Sequence, residues 1–244
     1  MKHCQYWIII LVGVILLFSV IQFSKQKFTH NPNRVFIGRN RLPQDERLRR
    51  FKNVEIKGTP KTPLYILPNF LDSNECSQLI ASMQDKLTPS DVTRADPSDP
   101  YFRTSKTGHF NGKNKLENSV EKRICRTLGL EENCSESAQV QFYDKGNEFK
   151  AHYDYFHEGH DDELLKNGQR TWTFMIYLND VEEGGETEFI NLKEILKPKK
   201  GSAVVWSNLS KDGEVDSDTM HTGKPVKKGK KYIITKWFLD TKDS

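Results

Sequence analysis

The stretch Gln139–Phe156, QVQFYDKGNEFKAHYDYF, marks the point where the periodicity of this 244-residue chain changes. Upstream, apolar residues recur at helical spacing, whereas here Val140 and Phe142 alternate with glutamines, which is the two-residue period of a strand. Four more short runs follow that are rich in β-branched and aromatic residues: TWTFMIYLN from Thr171, ETEFI from Glu186, SAVVW from Ser202 and KYIITKWF from Lys231. Because Gly, Asp, Asn or Pro separates these runs, we predict a mostly β domain.

Two helices are predicted ahead of these strands. DSNECSQLIASMQDKL begins with Asp72 and Glu75 at the spacing of a capping box, and LENSVEKRICRTLGL, Leu116–Leu130, is a second amphipathic segment. Helices followed by short strands indicate an α+β arrangement, with the helices packed on one side of an antiparallel sandwich or barrel.

The amino-terminal quarter of the chain differs in composition from the rest. WIIILVGVILLFSVIQF, Trp7–Phe23, has no charge over 17 residues, the lower limit for a membrane-spanning helix. A secretory signal peptide is less favoured because no small-x-small cleavage site follows. We therefore predict a membrane anchor at residues 1–24, a basic linker at 25–62 and a globular body at 63–244. This organisation implies a single-pass membrane protein, of the endoplasmic reticulum or another endomembrane if the source is eukaryotic.

Charge is distributed unevenly along the chain. The first 62 residues carry 12 Lys or Arg against 3 Asp or Glu, and the remainder carries 25 against 30. A body with an acidic balance is not expected to grip phosphates, so no nucleic-acid partner is predicted. The basic segment after the apolar run would favour a cytoplasmic body, but it could equally lie on anionic lipid, which leaves the side of the membrane open. Cys125 and Cys134 would pair only in an oxidising lumen, and buried thiols are the default.

A metal site is suggested by HYD, where His152 and Asp154 are two residues apart and so share one face of a strand. A distant third ligand, such as His221 directly before the turn that leads into the last strand, or His109, would complete the His–carboxylate–His set of non-haem Fe(II) oxygenases. The competing set, His157, His160 and Asp161 in HEGHDD, is interpreted as a solvated loop with at most an adventitious metal.

The last strand carries a lysine that could serve the same site. Period two places Lys231, Ile233, Thr235 and Trp237 on one face. If that face is interior, the ammonium needs an anion, which a dicarboxylate cosubstrate would supply. The alternative is that Lys231 belongs to the surface run KKGKK.

Five blocks resemble, in order, the prolyl 4-hydroxylase-like 2-oxoglutarate/Fe(II) dioxygenases. The resemblance spans about Leu64 to Leu239, and its blocks are FRTSKTGHF, QVQFYDKGNEFKAHYDYF, GQRTWTFMIYLNDVEEGGETEF, PKKGSAVVWSN and HTGKPVKKGKKYIITKWF. It implies a double-stranded β-helix (jelly roll) with supporting helices for the catalytic domain. It also implies hydroxylation of peptidyl proline to 4-hydroxyproline, with 2-oxoglutarate and O₂ consumed, succinate and CO₂ released, and ascorbate required.

The resemblance assigns roles to particular residues. It implies Fe(II) on His152, Asp154 and His221, and the far carboxylate of 2-oxoglutarate on Lys231. The remaining implied contacts are Tyr143, Thr187 and Trp237 for the cosubstrate, and Arg170, Phe149, Arg103, Ser105 and Glu136 for a protein or peptide substrate. Phe149 and Asn147 depart from the family pattern, which often has Tyr and Gln there, so the target residue is less securely implied than the reaction. Hydroxylation of another residue or small molecule, and an inactive membrane-anchored binding protein, remain as alternatives.

Two polar segments are predicted to act as lids over the substrate. They are Thr88–Phe102 and Ser207–Met220, which are long and rich in Ser, Asp or Gly.

Overall fold

The structure is a computed structural model that describes residues 42–91, 102–157, 164 and 166–240. The helices are α1 (Leu42–Arg49), α2 (Ser73–Met83) and α3 (Lys115–Leu128), with 3₁₀ turns at Gln84–Lys86, Glu132–Cys134 and Ser217–Thr219. The early strands are β1 (Glu55–Gly58), β2 (Pro63–Leu67), β3 (Thr88–Pro89), β4 (Lys106–His109), β5 (Gln139–Tyr143) and β6 (Phe149–His152). The later strands are β7 (Arg170–Tyr177), β8 (Glu183–Gly184), β9 (Thr187–Phe189), β10 (Glu194–Leu196), β11 (Ala203–Ser207), β12 (His221–Gly223), β13 (Val226–Lys228) and β14 (Lys231–Leu239).

The predicted helices and all five predicted strand runs are confirmed, and local signals explain the helix ends. The Asp72 side chain accepts hydrogen bonds from the backbone of Asn74 and Glu75, while the Glu75 carboxylate reaches back to the Asp72 N–H, so the capping box is complete. Helix α3 starts at an Asn114 cap and ends at Gly129, whose φ of 69° lies in the left-handed region that glycine adopts without strain.

Three antiparallel sheets carry the fold. The large sheet has the order β1-β2-β11-β7-β14-β5-β4-β3, the small sheet has the order β10-β9-β12-β6, and β13 pairs with β8. Strand β14 lies at the centre of the large sheet, since it pairs with β7 on one side and β5 on the other.

Strand β7 shows how the large sheet divides the molecule into layers. Trp172, Phe174 and Ile176 pack in one hydrophobic cluster with the three helices, whereas Met175 and Tyr177 pack with residues of the small sheet. The alternation is the period-two pattern read from the sequence, with both faces buried. The helices cover one face of the large sheet and the small sheet covers the other, as the mostly β prediction requires.

The segment after residue 41 differs from the predicted linker. Helix α1 buries Leu48 completely in the helical core, and Asp45 accepts a hydrogen bond of 2.8 Å from the Tyr65 hydroxyl. Strand β1 pairs along β2 from Glu55 to Gly58. Residues 42–62, more than half of the predicted linker 25–62, therefore belong to the folded body. The sequence signal is weak because α1 is short and polar, and Leu48 is the one apolar side chain among its buried residues Gln44, Asp45 and Leu48.

The predicted anchor, Trp7–Phe23, lies outside the described residues. Within the parts of the chain that the structure describes, no helix has both the length and the apolar character needed to cross a membrane. Cys125 and Cys134 are buried, and the structure shows them as thiols.

Candidate metal centre and cosubstrate pocket

Two facing strands of the small sheet bring the three predicted metal ligands together. His152 ends β6 and pairs in register with His221, which begins β12, while Asp154 lies two residues beyond the end of β6. His152 Nε2 is 3.8 Å from Asp154 Oδ1, and His221 Nε2 is 4.0 Å from Asp154 Oδ2. Across the residues that the structure describes, this is the only group of His, Cys, Asp or Glu with the geometry of a metal site, and its ligand atoms lie within 4.8 Å of one another.

Backbone carbonyls orient both imidazoles. Nδ1 of His152 donates to the Lys150 carbonyl at 2.8 Å, and Nδ1 of His221 donates to the Thr219 carbonyl at 2.9 Å. With the proton held on Nδ1, each ring presents the lone pair of Nε2 toward the Asp154 carboxylate, which is the tautomer a metal needs.

Electrostatics favour a neutral His152 and an ionised Asp154. Burial, followed by repulsion from His221, lowers the pKa of His152 to about 3. For Asp154, burial acts to raise the pKa, but the charges of His221, His152 and Arg170 together hold the pKa of this carboxyl below its ordinary value. A neutral imidazole and a carboxylate are the protonation states that bind a divalent cation.

Aromatic rings pack against both imidazoles. The Phe149 ring stacks on His152 with centroids 3.6 Å apart and an angle of 16°. Phe189 and Trp206 contact His221 at centroid distances of 5.3 and 5.1 Å. These contacts keep the rings in one orientation and exclude water from the protein side of the site.

A pocket opens between the two sheets beside these ligands. It is lined by Gln141, Tyr143, Phe149, His152, Asp154, Met175, Thr187, Trp206, His221, Gly223, Lys231, Ile233, Thr235 and Trp237. All of the predicted metal and cosubstrate residues, together with Phe149, therefore lie in one pocket. The predicted face of β14, with its four alternating residues, is also on the pocket wall.

Lys231 is buried in this pocket and is not part of a surface run. It is 2% exposed, and its Nζ lies 5.1 Å from the centre of the Tyr143 ring and 5.8 Å from that of Tyr177. Among the ion pairs of the described residues, none involves Lys231. Burial lowers the pKa of Lys231 to about 7, against the weaker opposing effect of Glu186. The protein thus leaves a buried ammonium without a carboxylate partner next to a metal-binding group.

Two hydroxyl groups near Lys231 are held by buried partners. The Tyr143 hydroxyl donates to Gln141 Oε1 at 2.9 Å, and the Tyr177 hydroxyl donates to Thr187 Oγ1 at 2.8 Å. Because Thr187 accepts from Tyr177, its own proton is free to point elsewhere in the pocket. The roles of Gln141 and Tyr177 were not predicted, although the period of β7 does place Tyr177 on the pocket face.

The predicted substrate residues Arg170 and Glu136 contact each other at the side of the pocket. Arg170 donates to both carboxylate oxygens of Glu136, at 2.6 and 2.9 Å, and its guanidinium lies 4.0 Å from the centre of the Trp237 ring. A third bond of 3.3 Å runs from Arg170 to the Asp154 carbonyl. The bidentate pair fixes the guanidinium against the wall next to a metal ligand.

Arg103 and Ser105, two further predicted substrate residues, are hydrogen-bonded to each other beside Phe149. Arg103 lies 4.8 Å over the Phe149 ring and donates to the Ser105 hydroxyl at 3.1 Å and the Thr107 hydroxyl at 3.2 Å. It also donates to the Asp91 carbonyl at 3.0 Å. Because all these contacts are within the chain, Arg103 is held in place before any ligand arrives.

Two of the remaining candidates, His109 and His157, are not part of the site. His109 is exposed on β4 and His157 is exposed, while His160 and Asp161 lie outside the described residues. Of the two predicted lids, residues 92–101 of the first also lie outside them. The second, Ser207–Met220, departs from the prediction, since Asn208, Asp216 and Thr219 are buried and bonded to the body.

The pocket fits Fe(II) and a 2-oxo dicarboxylate on its own chemistry. Two imidazoles and one carboxylate are a ligand set suited to Fe(II) that leaves coordination positions open. Lys231, with no carboxylate partner among the described residues, supplies the charge for a distal carboxylate, and the Tyr143 and Thr187 hydroxyls lie in the same cavity. No other buried lysine faces this cavity within the described chain.

Comparisons with known proteins agree with this geometry. The sequence pattern of the 2OG-Fe(II) oxygenase superfamily matches residues 138–239. Probable prolyl 4-hydroxylase 3 of Arabidopsis thaliana is 33% identical over 198 residues, covering 71% of this chain and 68% of that protein. Probable prolyl 4-hydroxylase 6 of the same plant is 29% identical over 257 residues, covering 96% of this chain and 81% of that protein.

A solved structure shows the same fold. The viral collagen prolyl hydroxylase of Paramecium bursaria Chlorella virus 1, in complex with 2OG, superposes with a TM-score of 0.58 at 30% identity, covering 71% of this chain and 94% of that one. The mostly β, jelly-roll-like fold predicted for the body is thereby confirmed.

Proposed function

Because this chain belongs to the 2OG-Fe(II) oxygenase superfamily, we propose that it hydroxylates proline residues of a protein or peptide to 4-hydroxyproline. The reaction consumes 2-oxoglutarate and O₂ and releases succinate and CO₂. One observation carries the proposal: His152, Asp154 and His221 converge in the same pocket as Lys231, a buried ammonium for which the described chain provides no carboxylate. The prolyl 4-hydroxylases among its relatives supply the substrate class.

Bound Fe(II) and 2-oxoglutarate would together supply the oxidising chemistry that inserts one atom of O₂ into a C–H bond. His152, Asp154 and His221 would hold the metal. Lys231 would bind the distal carboxylate of 2-oxoglutarate, with the Thr187 hydroxyl as a further donor. Tyr143 would join them by turning its one hydroxyl proton from Gln141 Oε1 to the ligand. Since Tyr177 donates to Thr187 Oγ1, the Thr187 proton is directed away from Tyr177 and is available to a ligand.

The protein's other contribution is to exclude water and to position the substrate. Phe149, Trp206 and Trp237 wall the pocket with aromatic surface, which protects a reactive centre from solvent. Arg170 and Arg103, immobilised by Glu136 and Ser105 respectively, would present N–H groups to the backbone of an extended peptide. Phe149 cannot donate the hydrogen bond that a tyrosine would, so it would contribute to substrate binding through its ring.

The proposed cellular setting follows from the sequence. Residues 1–24 would anchor a double-stranded β-helix domain to a membrane, as a single-pass protein of the endoplasmic reticulum or another endomembrane. Ascorbate would maintain the iron in its reduced state when turnover is not coupled to substrate. Support for this setting comes from the apolar run Trp7–Phe23 and from the chemistry of the family.

The test is a reconstituted reaction of the full chain with Fe(II), 2-oxoglutarate and ascorbate. Proline-rich peptides should gain the mass of one oxygen atom, and succinate should form in equal amount. Amino-acid analysis of the hydrolysed product should give 4-hydroxyproline. Matched peptides with alanine in place of proline should leave succinate formation at its uncoupled level.

Two results would contradict the proposal. Oxygen found on a residue other than proline, or on a small molecule, would keep the chemistry and change the substrate. Metal binding without any 2-oxoglutarate turnover, with all peptides tried, would favour a binding protein with an inactive site.

A further inference from the structure

The Asp154 carboxylate has a hydrogen-bond partner, Thr173, to which the sequence resemblance assigned no role. We propose that Thr173 and Asn208 are positioning residues that withdraw Oδ2 of Asp154 from the metal and leave Oδ1 as the single ligand oxygen. The inference rests on the proposed function for its iron site, and it concerns how this chain prepares that site.

The direction of the hydrogen bonds is determined by the groups involved. Thr173 Oγ1 lies 2.8 Å from Asp154 Oδ2, and because an ionised carboxylate has no proton, the hydroxyl is the donor. Asn208 Nδ2 lies 3.0 Å from the same hydroxyl oxygen and donates to it. With the amide donating, the hydroxyl proton points at Asp154. All three side chains are buried, at 0% exposure for Thr173 and Asn208 and 5% for Asp154.

The carboxylate needs such a constraint because both of its oxygens face the imidazoles. Oδ1 is 3.8 Å from His152 Nε2, and Oδ2 is 4.0 Å from His221 Nε2. A carboxylate can bind a metal through one oxygen or two, and the second mode would use a coordination position that the cosubstrate or O₂ requires. A donor on Oδ2 reduces its availability to the metal and favours binding through Oδ1.

Two backbone hydrogen bonds, one from its N–H and one to its carbonyl, hold Asn208 in place. Its N–H donates to the Thr171 carbonyl at 2.8 Å, and its carbonyl accepts from the Asp216 N–H at 2.9 Å. Asp216 in turn accepts a bond of 2.7 Å from the Thr62 hydroxyl, next to β2. These bonds fix the backbone of Asn208 beside Thr173, so its side chain needs no movement of the segment to reach the Thr173 hydroxyl.

The same segment also supports a second ligand. The Asp216 carbonyl accepts from the Thr219 hydroxyl at 2.6 Å, and the Thr219 carbonyl accepts from His221 Nδ1 at 2.9 Å. Residues 208–219, which the sequence suggests as a lid, are thus the support from which Asp154 and His221 are both oriented.

Cobalt binding tests the proposal without any turnover. The full chain would be titrated with Co(II) alone, following the affinity and the visible ligand-field spectrum, for wild type, Thr173→Val and Thr173→Ser. We expect Thr173→Val to change the ligand-field spectrum of bound Co(II), because valine has the shape of threonine but no donor, so Oδ2 of Asp154 becomes available as a second ligand oxygen. Thr173→Ser keeps the hydroxyl and should keep the wild-type spectrum.

A second position keeps the test decisive if Thr173→Val folds poorly, which the melting temperature of the metal-free protein would reveal. Asn208→Asp replaces the donor with an acceptor and draws the Thr173 proton away from Asp154, so its Co(II) spectrum should change in the same way as that of Thr173→Val, and by more than that of Asn208→Ala. A wild-type spectrum in well-folded Thr173→Val, or equal effects of Asn208→Asp and Asn208→Ala on the spectrum, would overturn the proposal.

A wrong reaction assignment would give different results from a wrong positioning proposal. If wild-type protein binds Co(II) but hydroxylates no proline peptide, the reaction assignment is wrong while the positioning of Asp154 stands. If wild-type protein does not bind Co(II) one to one, the metal site itself is absent and both fall.

Discussion

Two lysines on β14 are buried equally and held very differently. Lys231 is 2% exposed and Lys236 is 1% exposed, but their odd spacing places them on opposite faces of the large sheet. Lys236 faces the helices, where its Nζ lies 2.8 Å from the Glu121 carboxylate of α3 and 2.9 Å from the Glu136 carbonyl. Lys231 faces the small sheet and the metal group, with the rings of Tyr143 and Tyr177 near its ammonium.

This difference means that the charge of Lys236 stabilises the fold, whereas the charge of Lys231 would bind a ligand. A buried ammonium is costly unless an anion is close, and for Lys236 the fold itself provides the anion. For Lys231 the anion would come from outside, as the distal carboxylate of 2-oxoglutarate. Substitutions on the helix face should therefore change stability, and substitutions on the pocket face should change binding and catalysis.

Removing a metal ligand from the pocket face should have the largest effect on activity and little effect on the fold. In Asp154→Ala, succinate formation coupled to a proline peptide should fall by about 1,000-fold or more, equivalent to about 4 kcal/mol of activation free energy. Steady-state assays would measure this, with Asp212→Ala, at an exposed position, as the control. Coupled turnover that survives in Asp154→Ala would mean that the metal lies elsewhere.

Removing the charge from the helix face should do the reverse. Lys236→Met leaves the Glu121 carboxylate buried without its partner, so the free energy of unfolding should drop by about 3–5 kcal/mol. Urea denaturation would measure the loss, and activity per folded molecule should be unchanged. Adding Glu121→Gln removes the stranded charge, keeps an acceptor for the buried Ala138 N–H and should restore most of the stability. A double variant as unstable as the single one would show that packing, and not charge, explains the loss.

Replacing Lys231, the buried lysine of the pocket face, should impair cosubstrate binding without lowering the free energy of unfolding. Lys231→Met should raise the KM for 2-oxoglutarate by about 100-fold, or about 2.7 kcal/mol, while Co(II) affinity stays at the wild-type value. Because the folded pKa of Lys231, about 7, lies below its ordinary value, the unfolded chain binds more protons between about pH 7 and 10. The free energy of unfolding of the wild type should therefore rise over that range. Lys231→Met lacks the titrating group, so it should be more stable than the wild type at or below pH 7, and this difference in stability should disappear as the pH rises. An unchanged KM would return Lys231 to a structural role.

The pH dependence of 2-oxoglutarate binding tests the charge of Lys231 directly, and it has the smallest expected effect of the four predictions. With a pKa of about 7, Lys231 loses its charge as pH rises, and a dianion binds only the charged form well. The Kd for 2-oxoglutarate in the metal-loaded, O₂-free protein should increase by up to about tenfold per pH unit above 7. Lys231→Arg stays charged and should flatten the profile. Calorimetry in two buffers should also detect proton uptake by wild type alone, and its absence would contradict the assigned titration.

The two faces of β14 also differ in how much of their environment could be predicted from the sequence. Alternation in KYIITKWF correctly placed Lys231 and Trp237 on one side, because period two follows from strand geometry alone. Spacing could not decide whether that side was buried, since burial depends on the small sheet that packs over it. The Lys236–Glu121 pair joins positions 115 residues apart, and no local pattern relates them.

The same limit explains which site residues were found and which were missed. His152 and Asp154 stood out because a His-x-Asp pair on a strand suits a metal, whereas the family resemblance and not the spacing singled out His221 over His109. Thr173 and Asn208 are ordinary residues of a strand and the segment after it, and their importance lies in the direction of two hydrogen bonds. Helix α1 was missed for a related reason, since the burial of Leu48 depends on a partner that no sequence period reveals.

The docking of α1 and β1 also determines where a usable truncation can start. A fragment cut at Pro63 would bare the backbone edge of β2 along the large sheet, which invites aggregation, and would leave a hole in place of Leu48. It would also delete the Thr62 hydroxyl, from which the chain of bonds to Asp216, Thr219 and His221 begins. A soluble catalytic fragment should therefore be cut ahead of Leu42, and an inactive product from a cut at Pro63 would reflect damage to the fold.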